Sequence, residues 1–115
     1  MTNTRTEAQE QATVVDYCTL WGIEIVHVPN EGKRTLANGR QLARMGLRRG
    51  FPDLFIPTAR KGYHGMFIEL KRDIHCKATE HQQKWIDYLN RQGYYAVICH
   101  GADAAIAEID KYFAR

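Results

Sequence analysis

Asp53 directly follows a proline, and sixteen residues later Glu69 and Lys71 stand two apart inside the apolar run MFIELKR. In an extended strand successive side chains alternate faces, so Glu69 and Lys71 point the same way with Cα atoms about 6.6 Å apart. Ile68 and Leu70 then point to the other face, into a core. Asp53 opens a second short apolar segment, DLFIP, and the fixed φ of Pro52 shapes the entry to it. Paired as a hairpin, the two segments bring Asp53 and Glu69 to one end of a sheet.

Two carboxylates beside one lysine repel each other unless a cation sits between them. Hard divalent cations such as Mg²⁺ or Mn²⁺ suit such oxygen donors, and Mg²⁺ typically keeps several waters. A protonated lysine does not ligate; it orients or deprotonates a water, or stabilises charge developing on a phosphate. The reaction this set supports is in-line attack of an activated water on a phosphodiester. The plain alternative is a surface Glu69–Lys71 salt bridge, worth about 0–1 kcal/mol. It leaves the Pro-Asp pair on its own short strand unexplained.

The charge distribution points to the same substrate. Net charge is +3, but Gly32 to Pro52 carries Lys33, Arg34, Arg40, Arg44, Arg48 and Arg49 and no acidic residue. The remainder holds ten basic and thirteen acidic residues. A concentrated basic block beside a near-neutral body is what phosphate binding requires, since neutralised phosphates release condensed counterions. These six side chains are the candidate nucleic-acid contacts, against the ordinary alternative of a solvated loop and helix face.

The elements that must position these groups are readable from pattern. Thr4 or Thr6 caps a first helix running to about Trp21 and ended by Gly22. Glu7, Gln11, Val14, Cys18 and Trp21 form one stripe on it. IEIVHV (Ile23 to Val28) alternates as a strand, and a short helix from Ala37 to Met45 stops at Gly46. DLFIP, a turn-rich TARKGYHG and MFIELKR follow as a hairpin. Thr79 opens a helix to Gln92, closed by Gly93. Tyr94 to Cys99 reads as a strand buried on both faces. A last helix spans Asp103 to Phe113, with Ile106, Ile109 and Phe113 turned inward. The order is αβ(α)ββαβα, an α/β fold with a mixed β-sheet flanked by helices.

At 115 residues the chain is expected to form a single domain, 1–115, with one hydrophobic core. No apolar run approaches a membrane span, and the polar start MTNTRTEAQEQ lacks the apolar segment of a signal peptide. A cytoplasmic location is expected. Cys18, Cys76 and Cys99 are odd in number and form no CxxC pair, so they read as reduced thiols. His75, Cys76, His81 and His100 match no common zinc-ligand spacing.

Pro52-Asp53 followed by Glu69-Leu70-Lys71 resembles the signature of the PD-(D/E)xK nuclease superfamily. More narrowly, HVPNEGKR (His27 to Arg34), MGLRRGFPDL (Met45 to Leu54), IELK and Thr79-Glu80-His81-Gln82 together resemble the VRR-NUC family. The similarity runs from about Glu7 to Tyr95. It implies a restriction-endonuclease-like fold and a metal-dependent DNA endonuclease, with Asp53 and Glu69 as metal ligands and Lys71 as the catalytic lysine. Glu7 matches the family's glutamate on the first helix and would complete the metal shell, with Glu10 as its competitor. Gln82 matches the family's glutamine after the lysine and is a further catalytic candidate ahead of Gln83. Thr79 and Gln82 also spell a capping box, which gives Gln82 a structural reading. Asn30 and Glu31 occupy the family's N-E pair, read as substrate-facing or structural.

Members of this length are similar to phage and bacterial proteins thought to cut branched DNA. The expected substrate is therefore branched or Holliday-junction DNA, cut by a homodimer in which two sites are related by a two-fold axis. The competing readings are a nucleic-acid-binding module that retains the fold without cutting, and a metallohydrolase acting on something other than nucleic acid.

Overall fold

The computed structural model describes residues 5–29 and 36–115, with element order α1 (Glu7–Leu20), β1 (Val26–His27), α2 (Leu36–Arg44), β2 (Leu54–Ile56), β3 (Met66–Lys71), α3 (Glu80–Arg91), β4 (Tyr95–His100) and α4 (Ala102–Phe113). The four strands form one sheet in the order β1-β2-β3-β4. β1 and β3 run antiparallel to β2, and β4 runs parallel to β3. The expected mixed α/β sheet and element order are both present.

Alternation along β3 builds two cores. Met66, Ile68 and Leu70 join Leu54 and Ile56 of β2 on one face, under Val14 and Cys18 of α1 and Ala105, Ile109 and Tyr112 of α4. Phe67 on the other face joins Ala96, Ile86 and Leu89 beneath α3. Glu69 and Lys71 share the Phe67 face by the same alternation. The α3 helix is thus the crossover that joins parallel β3 and β4 and roofs the face bearing the charged residues.

Four sequence expectations change. The segment from Ile23 yields only the two-residue β1, because Ile23 N–H donates to Cys18 O at 2.8 Å and closes the end of α1 instead. Gly22, at φ 69°, supplies the left-handed turn that this closure needs. Trp21 is 66% exposed, tilted against Tyr17 at the surface rather than turned inward. β4 is an edge strand, fully buried only at Ala96 and Cys99, whereas β3 is the strand covered on both faces. On α4 the inward stripe is Ala102, Ala105, Ile109 and Tyr112, with Ile106 and Phe113 only partly covered. Burial of Tyr112 is tolerable because its hydroxyl donates to Thr58 O at 2.6 Å.

Cys18 and Cys99 are buried free thiols, and burial pushes them up to about 11 and about 12. Both therefore stay neutral and unreactive at pH 8, and a thiol reagent applied to the folded protein should label Cys76 alone. Labelling in denaturant should reach all three. Because each folded value lies above the ordinary 9.0, the stability linked to these thiols is complete below about pH 9. It declines as pH rises from there toward the folded values.

Candidate active site

The hairpin register fixes the acidic pair. Leu54 pairs with Ile68, and continuing the antiparallel ladder one step sets Asp53 opposite Glu69. Asp53 Oδ2 accepts a hydrogen bond from Leu70 N–H at 3.0 Å, which anchors the carboxylate across the sheet. Both acids are only 3% exposed, the sole charged side chains buried to that degree among the described residues. Lys71 Nζ lies 3.7 Å from Glu69 Oε2. That is an ion pair and not a tight hydrogen bond, which would be near 2.9 Å.

Gln82 resolves its two readings by serving both. Its Oε1 accepts from Thr79 N–H at 2.8 Å while Thr79 Oγ1 accepts from Gln82 N–H at 3.2 Å, completing the capping box. The other end of the same amide, Nε2, donates to Glu69 Oε2 at 3.4 Å. The cap thus holds the amide nitrogen toward the site. Gln83 instead donates to Asp87 at 2.9 Å, away from Glu69.

The first-helix glutamates also separate. Glu10 pairs with Arg5 at 2.8 Å and accepts from Ala102 N–H at 3.4 Å. It caps α4, whose N-cap residue Gly101 has no side chain to do so. Glu7 lines a groove with Gln11 and His27, which contact each other at 2.5 Å. His27 pairs with Leu54, and Val28 N–H donates to Asp53 O at 2.7 Å, so this groove lies at the Asp53 end of the sheet. Among the described residues, no three His, Cys, Asp or Glu side chains are grouped closely enough to cage a metal. The structure gathers Asp53, Glu69, Lys71 and Gln82, and places Glu7 on α1 in the groove beside His27. Exchanging Glu10 for Gln should weaken folding by about 1 kcal/mol in a denaturant titration. Glu7→Gln should weaken metal binding, as titration calorimetry would record.

The donor set suits a divalent cation. Asp53 and Glu69 place two carboxylates side by side, almost closed to water, with Lys71 beside them. Mg²⁺ is commonly held by one or two carboxylates, with waters and substrate phosphate filling its remaining positions.

The loop before Asp53 is pinned against α3. Gly50 has φ 83°, and a Cβ there would lie 2.7 Å from His81 backbone carbon and 2.9 Å from Gln82 N. Trp85 Nε1 donates to Arg49 O at 3.1 Å, and Phe51 packs against Trp85 and Phe67. In the sequence Gly50 is marked only by its place between Arg49 and the Phe-Pro-Asp stretch, because the helix it must approach is thirty residues away in the chain.

Of the basic block, Arg40 and Arg44 are exposed on α2, and Arg48 and Arg49 are exposed on the loop against α3. Lys33 and Arg34, with Asn30 and Glu31, lie outside the described residues. The imagined zinc ligands are not assembled among the described residues: His75 N–H donates to Asp73 Oδ1, His100 Nδ1 faces Asp73 O, and His81 lies on α3. The Asp73 carboxyl is held below its ordinary value, chiefly by the His75 N–H bond.

A mixed sheet with an acid, acid and lysine centre at its central β2–β3 hairpin defines the class of this protein as an α/β fold with a charged site at strand ends. Residues 5–103 match the model of the VRR-NUC domain, and the chain belongs to that family, which is generally one of nuclease domains. A solved structure titled "VRR_NUC domain protein" is similar at TM-score 0.84 and 32% identity, covering 97% of this chain and 91% of that one. A second, titled "VRR_NUC domain", shares the fold at TM-score 0.65 and 19% identity, covering 93% of this chain and 97% of that one. A search of curated proteins returned no match.

Proposed function

We propose that this chain is a divalent-metal-dependent DNA endonuclease that hydrolyses phosphodiester bonds in branched or Holliday-junction DNA and acts as a homodimer in the cytoplasm. The observation that carries this reading is the pair of buried carboxylates, Asp53 and Glu69, facing one another with Lys71 beside them. Asp53 and Glu69 would hold Mg²⁺ or Mn²⁺, and Glu7 is the side chain offered from α1. The ion, when bound, would supply Lewis-acid polarisation of the phosphate and a more acidic water.

The chain's own residues have separate duties. Asp53 is anchored through Oδ2 by Leu70 N–H, so its carboxylate keeps a constant aim. Gln82 Nε2 and Lys71 Nζ both face Glu69 Oε2 and set its orientation. Lys71 places a positive charge where a phosphate would gain negative charge, the arrangement that most effectively lowers such a barrier. Arg40, Arg44, Arg48 and Arg49, with Lys33 and Arg34, would neutralise the flanking phosphates. No helix among the described residues is long and apolar enough to cross a membrane.

The test is a cleavage panel of duplex, flap and four-way junction DNA with Mg²⁺, Mn²⁺ or chelator, run beside sedimentation of the free protein. Metal-dependent cutting that is strongest on branched substrates, by a dimer, is the expected result. Salt-sensitive binding with no cutting of any substrate would make the chain a non-catalytic binding module. Replacing Arg48 and Arg49 together with Gln should lower the slope of log affinity against log salt by about 1.8, two phosphate contacts' worth. An unchanged slope would remove this loop from the DNA interface.

A further inference from the structure

One side of α3 carries an aromatic pair that the proposed hydrolysis does not use: exposed Tyr88 and half-buried Trp85, which also packs on the core beneath the helix. Lys84, Trp85, Tyr88 and Arg91 recur at spacings of three and four, and so share one side of the helix. With Arg48 and Arg49 they line an open groove of about 770 Å³. Trp85 and Tyr88 meet edge to face, with ring centroids 5.8 Å apart. The Arg48 guanidinium lies 5.8 Å from the Trp85 ring centre, and the Arg91 guanidinium 5.9 Å from that of Tyr88.

The groove is built for one chemistry. Its Trp85 ring is locked from behind by Phe51 and by the bond from Nε1 to Arg49 O, so it loses little freedom when a ligand arrives. Tyr88 is 46% exposed. Arg48, Arg49 and Arg91 line it with Lys84, which pairs with Glu80 at 3.3 Å, and its one lining carboxylate, Asp87, is engaged by Gln83. Aromatic faces flanked by guanidinium groups are the recurring platform for single-stranded nucleic acid, with bases on the rings and phosphates on the cations. A paired base in a duplex has its faces covered by its neighbours and cannot use such a platform.

The position ties the platform to the site. Gln82, whose amide reaches Glu69, precedes Trp85 and Tyr88 on the same helix by about 4.5 and 9 Å of axial rise. We propose that Trp85 and Tyr88 form a stacking platform for an unpaired nucleobase of the bound strand, close to the phosphate held at Asp53 and Glu69. This inference rests on the DNA nuclease reading and adds to it the kind of DNA recognised: a strand with at least one base out of its pair. It gives branch selectivity a physical origin, since only a strand leaving a duplex can present such a base.

Binding without metal separates the platform from the chemistry. The chain has two tryptophans, and Trp21→Phe removes the exposed one far from the groove, leaving Trp85 as reporter. In chelator, a short oligothymidylate should quench Trp85 emission saturably. It should also bind at least about fivefold tighter than an abasic strand of equal charge, the yield of one stacked base. Tyr88→Leu, which keeps the fold-side bulk, should shrink that difference while leaving the salt slope unchanged.

Equal affinity for the thymidylate and the abasic strand would overturn the platform and leave a phosphate-only groove, with the nuclease reading intact. A Tyr88→Leu protein that sediments as a monomer where the parent is a dimer would overturn it too, by making this face a contact between two copies. Absence of binding to every DNA tested, together with absence of cleavage, would remove the nuclease reading itself.

Discussion

An Asp53→Asn protein is expected to fold normally and to lose metal-dependent cleavage by about a hundredfold or more, the usual scale for removing a fixed charge from a reaction centre. Asparagine is the informative change. Its carbonyl can still accept the bond from Leu70 N–H, so β2 and β3 stay in register while the ligand charge is gone. Asp53→Ala also strands that buried N–H, which costs about 1–3 kcal/mol and confuses a rate effect with a folding effect.

Lys71→Ala should reduce the rate by about 10²–10⁴-fold, the range for a positioned proton-transfer or charge-stabilising group. It should also lower stability in the absence of metal, because Glu69 would keep its buried position without the cation 3.7 Å away. Thermal melts in chelator report that loss, and single-turnover cleavage with Mg²⁺ or Mn²⁺ reports the catalytic one. Native cleavage rates in either Asp53→Asn or Lys71→Ala would show that the site has been assigned to the wrong residues.

Gly50→Ala should be the most damaging glycine-to-alanine change among the described glycines. The residue sits at φ 83°, a conformation that costs an L side chain roughly 1–2 kcal/mol. The added carbon would also lie 2.7 Å from the His81 backbone, which has no rotamer to move aside. Either the loop or the first turn of α3 must shift, for a total of about 3 kcal/mol or more. At roughly 4 °C per kcal/mol for a domain of this size, the melting temperature should fall by about 12 °C.

Cleavage should fall with it, because the first turn of α3 carries the Gln82 amide that faces Glu69. Gly39→Ala is the internal control. Gly39 lies inside α2 with nothing within 4 Å of its absent side chain, so alanine there should raise stability by up to about 1 kcal/mol. Equal melting temperatures for the two variants would mean that the loop carrying Arg48 and Arg49 does not rest on α3.

Much of the site was legible because strand alternation is a local rule. Period two alone separates Leu54, Ile56, Ile68 and Leu70 from Asp53, Glu69 and Lys71, and each of the four apolar residues is fully buried in the fold. The capping box at Thr79 and Gln82 is equally local, and both of its bonds are present. Thr6 and Gln9 form the same local motif on α1.

What the sequence could not settle were the contacts made between segments far apart in the chain. Trp21 and Ile23 follow the apolar pattern, yet one ends exposed and the other is consumed in closing α1. Tyr94 to Cys99 is apolar enough for a central strand but lies at the edge, because strand order depends on which partner each strand finds. The rotation of α4 that buries Tyr112 was set by α1 and the sheet, not by the spacing of its own residues.

By itself, then, the sequence determined which residues of β2 and β3 share a face, the capped start of α3 and which charged groups stand on β3. Only the tertiary structure decided that Glu10 caps α4 while Glu7 faces the Asp53 end, that Gln82 both caps its helix and touches Glu69, and that Gly50 lets the basic loop rest on α3. The physical reason is range. Side-chain direction follows from backbone period over a few residues, whereas these assignments depend on packing between elements that the chain brings together only when the whole sheet has formed.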